Sequence, residues 1–153
     1  MNQAVQFLKE TNTFYLATMD LDQPRVRPFG AVMEWNGRIY ICTSNEKQVY
    51  QQMLANPKIE ISATAEDGRW IRIAGAVNRD PSSEAKAAML DAYPSLQGLY
   101  SLDDGKFEVF YLSRCYRDHL FYDGRSRGVD ALNLLSVRLK AQSNAERTKV
   151  ILI

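Results

Sequence analysis

The chain has 153 residues, 46% of them hydrophobic and 24% charged, which fits one soluble domain with one core and leaves little room for a second. A formal charge of +1 supplies no global field for nucleic acid or anionic lipid, and no apolar stretch approaches the roughly eighteen residues of a membrane-spanning helix. Residues 1–123 carry 13 Lys or Arg against 16 Asp or Glu, whereas 124–153 carry 6 against 2, so a basic C-terminal extension is read apart from a domain at 1–123.

Residues 3–10 place Ala4, Val5, Phe7 and Leu8 on one side of a short helix, and the Gln3, Gln6 and Lys9 between them are foreign to a signal peptide. FYLATM, residues 14–19, reads as a strand closed by the polar turn at 20–23. One long strand is then expected over about 25–34, turning at Asn36-Gly37 and returning over 38–43. An Asn-Gly pair readily takes the positive φ values of a two-residue hairpin turn. Pro28 cannot donate to a ladder, so this strand belongs at an edge or bulges there.

From 44 to 55 the period becomes helical, with Val49, Tyr50, Met53 and Leu54 on one face, Ser44 or Asn45 as cap and Asn56-Pro57 as stop. A strand at 58–64 leads through Asp67-Gly68, the second hairpin signal, into a strand at 69–78. A helix over 82–93 is expected to bury Ala85, Ala88, Met89 and Ala92. Residues 94–105 read as loop with a short turn, and 106–122 as one bent strand or two, split near Arg114. The extension offers an amphipathic helix over 131–141, partly helical or disordered as a whole. Hairpins dominate and the helices do not alternate with strands, so a mainly β, largely antiparallel barrel with peripheral helices is expected rather than a doubly wound sheet.

Arg25 and Arg27, two apart in a strand, share a face. Two guanidinium forks there suit a dianionic phosphate, although a pair of solvent-facing arginines reads the same way. The return strand ends in Thr43-Ser44-Asn45, and Lys47 falls in the first turn of the next helix. Hydroxyls, free backbone N–H groups and the positive end of a helix thus coincide, which is a recipe for binding an anion. Cys42 and Cys115 lie in apolar runs as buried thiols do; with His119, the one histidine, they are too few and badly spaced for a metal site. Neither a P-loop nor a GxGxxG fingerprint is present.

Residues 14–80 resemble the FMN-binding split β-barrel of the pyridoxamine 5'-phosphate oxidase-like family. The resemblance rests on FYLATM, PRVRPFG, the IYICTSNEKQVYQQMLANPKIEIS strand-helix-strand unit and WIRIAGAV, and continues less distinctly to about Tyr122. It implies a homodimer with FMN sites at the subunit interface, and the cytoplasm is the default compartment for a chain that reads without a signal peptide or a disulfide framework. By similarity Arg25 and Arg27 lie beside the phosphate and ribityl chain, Pro28, Phe29 and Gly30 along the isoalloxazine ring, and Thr43, Ser44 and Lys47 at the phosphate. The family's helix glutamine has its counterpart in Gln48 or Gln52. Trp70 and Arg72 share a strand face from which they could reach the flavin or the partner subunit, and Gly75 marks a bulge or a close backbone approach.

The oxidase's own C-terminal signature, an arginine and a histidine in a tryptophan-containing strand, is not reproduced. Arg117 and His119 alternate as such a substrate-binding pair does, but within CYRDHLFYD. The resemblance therefore implies an FMN-dependent oxidoreductase acting on a small molecule, with nitro-group or quinone reduction as plausible as pyridoxamine phosphate oxidation. A non-catalytic FMN protein or sensor, and the same barrel holding a deazaflavin or haem, are the alternatives.

Overall fold

The computed structural model describes residues 2–116. The C-terminal extension at 124–153 and the substrate-side candidates Arg117 and His119 lie outside the described residues.

Helix α1 (Gln3–Glu10) begins at Asn2, whose Oδ1 accepts the Ala4 amide at 2.9 Å. Its apolar side, Ala4, Val5, Phe7 and Leu8, is buried as the periodicity predicts. Strands β1 (Phe14–Asp20), β2 (Gln23–Phe29), β3 (Val32–Trp35) and β4 (Arg38–Ser44) follow, then α2 (Gln48–Ala55), β5 (Lys58–Thr64), β6 (Trp70–Asp80), α3 (Ser83–Ala92), a 3₁₀ turn (Pro94–Gly98) and β7 (Phe107–Tyr116). The described strands form one sheet in the order β2-β1-β5-β6-β7-β4-β3, with every pair antiparallel.

That order explains the barrel. β2 and β3 lie at opposite edges of the sheet, yet Gly30 and Ala31 alone connect them. Three Cα steps from Phe29 to Val32 span at most about 11 Å, so the two edges must converge there. The sheet curls shut at this link without a ladder between its edges, giving the split, mainly β barrel expected from the sequence. Pro28 accordingly sits on an edge strand.

One apolar cluster fills the inside, where Leu8 of α1 and Val49 and Met53 of α2 meet Phe14, Leu16, Ile41, Ile61, Ile71, Ile73 and Phe110. A second lies on the other face of β4 and β7, where Ala85, Met89 and Leu90 of α3 cover Tyr40, Cys42, Phe107 and Val109. Hence IYIC is apolar without alternation: both of its faces are buried.

Several expected boundaries are corrected. The single strand over 25–34 is two strands, because β2 pairs with β1 and β3 with β4, and the chain must cross the barrel seam between them. The cap of α2 is Lys47, not Ser44 or Asn45: Ser44 is still in β4, and its carbonyl accepts the Lys47 amide at 3.1 Å in a preceding turn. In α3 Leu90 is buried where Ala92 was expected, and Ala92 is exposed. The bend expected near Arg114 is a register shift in which Val77 faces Leu112 and Ala76 faces Arg114, leaving Ser113 as the extra residue. The Asn36-Gly37 turn has φ of 48° and 72° and joins Trp35 to Arg38, as its composition predicts. No helix among the described residues is long and apolar enough to cross a membrane.

Candidate functional site

The closing link of the barrel borders a cleft of about 390 Å³. One wall is the end of β2 and the link itself, Arg27, Pro28, Phe29, Gly30 and Ala31; the floor is Cys42 and Thr43 of β4; Lys47 and Val49 bring in the start of α2. The far wall, Tyr93, Ser95, Leu96, Leu99 and Tyr100, comes from the turn after α3.

Arg27 is the organised cation of this cleft. Its Nη1 donates to Thr18 Oγ1 (2.6 Å) and the Leu16 carbonyl (3.2 Å), and its Nη2 donates to Gln52 Oε1 (2.8 Å). The Thr18 hydroxyl donates in turn to the same Gln52 oxygen at 2.7 Å. These partners are neutral. Burial draws the guanidinium below its ordinary pKa, and repulsion from Arg25 adds to this against the opposing pull of Asp20. A partly buried cation whose hydrogen-bond partners are all neutral gains from an arriving anion.

Thr43 lies opposite the α2 start and is 4% exposed, yet its hydroxyl has no hydrogen-bond partner. Such an orphan ordinarily costs about 1–3 kcal/mol, and Thr43 is among the residues that border the cleft. Lys47, exposed at the N-cap, pairs with no carboxylate among the described residues. A hydroxyl awaiting a partner, an unpaired ammonium and the first amides of a helix thus stand together, and these donors suit a phosphate.

Of the residues named from the sequence, Arg27, Pro28, Phe29, Gly30, Thr43 and Lys47 meet in this cleft. Arg25 shares the strand face of Arg27 but ends on Asp20 Oδ2 at 3.2 Å, outside the lining. Ser44 is buried, with its Oγ accepting the Glu46 amide. Gln52, not Gln48, joins Arg27: Gln48 is exposed at the first helical position, and Gln52 is one turn further on, on the buried side. Trp70 and Arg72 share the outer face of β6, where Arg72 pairs with Glu60 (3.2 Å) and lies over the indole at 5.7 Å. That places them away from the cleft lining of this protomer.

The far wall escaped the sequence reading. Its one local sign is the aromatic and apolar content of a nominal loop, YPSLQGLY. Tyr93 anchors it, its hydroxyl donating to the Val32 carbonyl (2.8 Å) and accepting the Val32 amide (3.1 Å) at the start of β3. Among the described residues no group of three or more His, Cys, Asp or Glu is placed to hold a metal.

Cys42 in the floor is a buried thiol, pushed up to about 12 by burial against the weaker pull of Lys47. It stays protonated at neutral pH, so alkylation of the Cys42 peptide, followed by mass spectrometry, should be slow from pH 7 to 9 and slower still with a ligand in the cleft. Rapid labelling at neutral pH would refute this assignment.

Comparison with known proteins agrees with this architecture. The family model described as pyridoxamine 5'-phosphate oxidase matches residues 1–112. A NimC/NimA family protein from Clostridium acetobutylicum is 51% identical, with 72% of this chain and 78% of that one covered and a TM-score of 0.72. The fold is shared with a heme binding protein from Mycobacterium smegmatis (23% identity, 73% and 51% covered, TM-score 0.57) and a FAD-binding protein from Mesorhizobium loti (13%, 75% and 91%, 0.55). No curated protein matches the chain. With nearly three quarters of its length under the family model and a relative at 51% identity, the chain belongs to the pyridoxamine 5'-phosphate oxidase family and to the NimC/NimA family.

Proposed function

We propose that the protein binds FMN in this cleft and acts as an FMN-dependent oxidoreductase on a small molecule. The observation that carries the reading is the orphaned, buried Thr43 hydroxyl beside the unpaired Lys47 ammonium, since a phosphate supplies both with partners at once. When bound, FMN supplies the redox chemistry, exchanging a hydride or electrons with substrate and acceptor. The chain's own residues bind and orient. Arg27 and Lys47 neutralise the phosphate, Thr43 donates to it, and Pro28, Phe29 and Gly30 lie along the ring. Gly30 borders the cleft, and a Cβ there would stand 3.4 Å from the Asn12 carbonyl oxygen.

A homodimer belongs to the same reading. The outer face of β2, β1, β5 and β6 aligns Pro28, Tyr15, Ser62 and Arg72 in one row and Val26, Ala17, Glu60 and Ala74 in the next. Tyr15 is 52% and Val26 64% exposed on a face that also carries the Arg72–Glu60 ion pair, a mixed apolar and polar surface suited to a second copy. Trp70 and Arg72 then work across the interface rather than in their own cleft.

The test is the absorption spectrum and mass of the ligand released from purified protein. One FMN per protomer is expected, and anaerobic bleaching by NADH or NADPH would support reductase chemistry. Release of haem or a deazaflavin in its place would overturn the cofactor assignment. Stoichiometric FMN without turnover would favour a non-catalytic carrier or sensor.

A further inference from the structure

We propose that Tyr93 is a positioning residue whose hydroxyl straps the far wall of the cleft to the barrel seam and so governs how fast a bound ligand leaves. The effect on flavin release rests on the FMN reading, whereas the strap rests on the geometry by itself.

The seam leaves β3 with an open side. It is the outermost strand of the sheet and pairs only with β4. An antiparallel ladder alternates bonded and non-bonded pairs, so every second residue of an outermost strand turns its N–H and C=O outward. Val32 does so directly after the Gly30-Ala31 link, and both groups meet one hydroxyl. Tyr93 accepts the Val32 amide at 3.1 Å and donates to the Val32 carbonyl at 2.8 Å. A single phenol thus makes both bonds that a further strand would make, beside a side chain that is itself fully buried.

The rest of the wall has no comparable hold on the barrel. The amides of Leu96, Leu99 and Tyr100 turn back on carbonyls of the same segment, and Gln97 Nε2 donates to the Leu90 carbonyl of α3 at 3.3 Å. Leu99 borders the cleft and is 75% exposed. At the far end Tyr100 lies against Phe107 with ring centroids 5.1 Å apart, an apolar contact only. Among the described residues, the Tyr93 hydroxyl therefore makes the hydrogen bonds that tie this wall to a strand. What the wall covers is equally plain. Tyr93, Leu96 and Tyr100 pack against the apolar cluster that contains Ala31, Cys42 and Phe107, and Cys42 is 8% exposed beneath it. Release at the Tyr93 end uncovers this thiol and opens the cleft. The Tyr93 ring has contacts of its own, with the same cluster and with Lys9 Nζ at 5.7 Å from its centroid. Tyr93→Phe keeps those contacts and removes the strap alone.

The experiment compares the full chain with its Tyr93→Phe variant in two ways. Alkylation of the Cys42 peptide at pH 9, read by mass spectrometry without added ligand, should be about three- to tenfold faster in the variant, the equivalent of one lost hydrogen bond. The increase should exceed what the change in urea stability accounts for, because the opening is local. Stopped-flow displacement should then show FMN and riboflavin leaving faster by the same factor, about three- to tenfold, since no phosphate contact is lost. A general loss of stability would not change release from the folded protein. Unchanged Cys42 labelling overturns the strap. Faster labelling with unchanged release of both flavins, or faster release of FMN alone, overturns the positioning role. Should neither flavin bind the parent, the FMN reading falls, and the labelling still decides whether Tyr93 holds the wall. If Tyr93→Phe does not fold, amide hydrogen exchange in the parent decides instead: the Val32 amide should exchange as slowly as a strand-paired amide, and exchange at the rate of an open edge overturns the strap.

Discussion

Arg27→Ala will weaken FMN binding about 10- to 150-fold, corresponding to the roughly 1.5–3 kcal/mol of a charge-assisted hydrogen bond. The size follows from what holds Arg27 in place. Thr18, Gln52 and the Leu16 carbonyl fix the guanidinium before any ligand arrives, so little ordering remains to be done on binding. Arg27→Lys keeps the charge but cannot reach Thr18 and Gln52 together, and it is expected to fall between the parent and the alanine variant. Lys47→Ala should weaken FMN binding over the same range, with a shallower salt dependence than the parent. Riboflavin, which has the ring but no phosphate, supplies the control: its affinity should hardly change in either variant. Unaltered FMN affinity in both Arg27→Ala and Lys47→Ala would remove the phosphate from this end of the cleft.

The largest loss of stability is expected from Arg79→Ala. Glu108 is almost fully buried, its side chain 4% exposed, and its two oxygens accept Arg79 Nε and Nη2 at 2.8 Å each. Lys86 is a weaker partner at 3.5 Å. Removing Arg79 strands a desolvated carboxylate, and breaking a fully buried pair in this way costs about 3–5 kcal/mol. Arg79 is itself 39% exposed and Lys86 remains, so a loss of about 2–3 kcal/mol is expected after solvent screening is allowed for. Glu108→Gln should cost less, about 1 kcal/mol, because the freed guanidinium can turn to water while the amide still fills the site. Urea unfolding of the two variants checks the ranking. A larger loss in Glu108→Gln would show that the aliphatic stem of Arg79 and the geometry of the pair matter little beside the Lys86 contact.

How much of this was readable from the chain depends on how far each feature reaches. The Asn36-Gly37 hairpin, the α1 face and the alternation of Ile71 and Ile73 against Trp70 and Arg72 are local, set by backbone preference and side-chain period, and they fold as they read. The break in PRVRPFGAVMEW was not readable, because residues on both sides favour extended backbone. It exists because one strand must leave β1 and the next must join β4. Gln48 and Gln52 likewise differ only in which side of α2 packs against the barrel.

The candidate site divides in the same way. Residue types and spacing alone brought Thr43 and Lys47 together, because a strand end running into a helix start gathers anion-binding donors within a few residues of one another. Arg25, identical in type to Arg27 and on the same strand face, is taken up by Asp20, a contact made across the β1–β2 hairpin. The wall from Tyr93 to Tyr100 reaches the cleft because α3 packs on the second face of β4, fifty residues away in sequence, and tethers Tyr93 to Val32. What the sequence by itself determined was therefore the local chemistry: the hairpins, the apolar faces and the candidate anion-binding donors at the strand end and helix start, all products of interactions between near neighbours. The tertiary structure alone decided which arginine and which glutamine enter the cleft, where the barrel closes and what forms its far wall. Each of these depends on a contact between segments that only the closed sheet brings together.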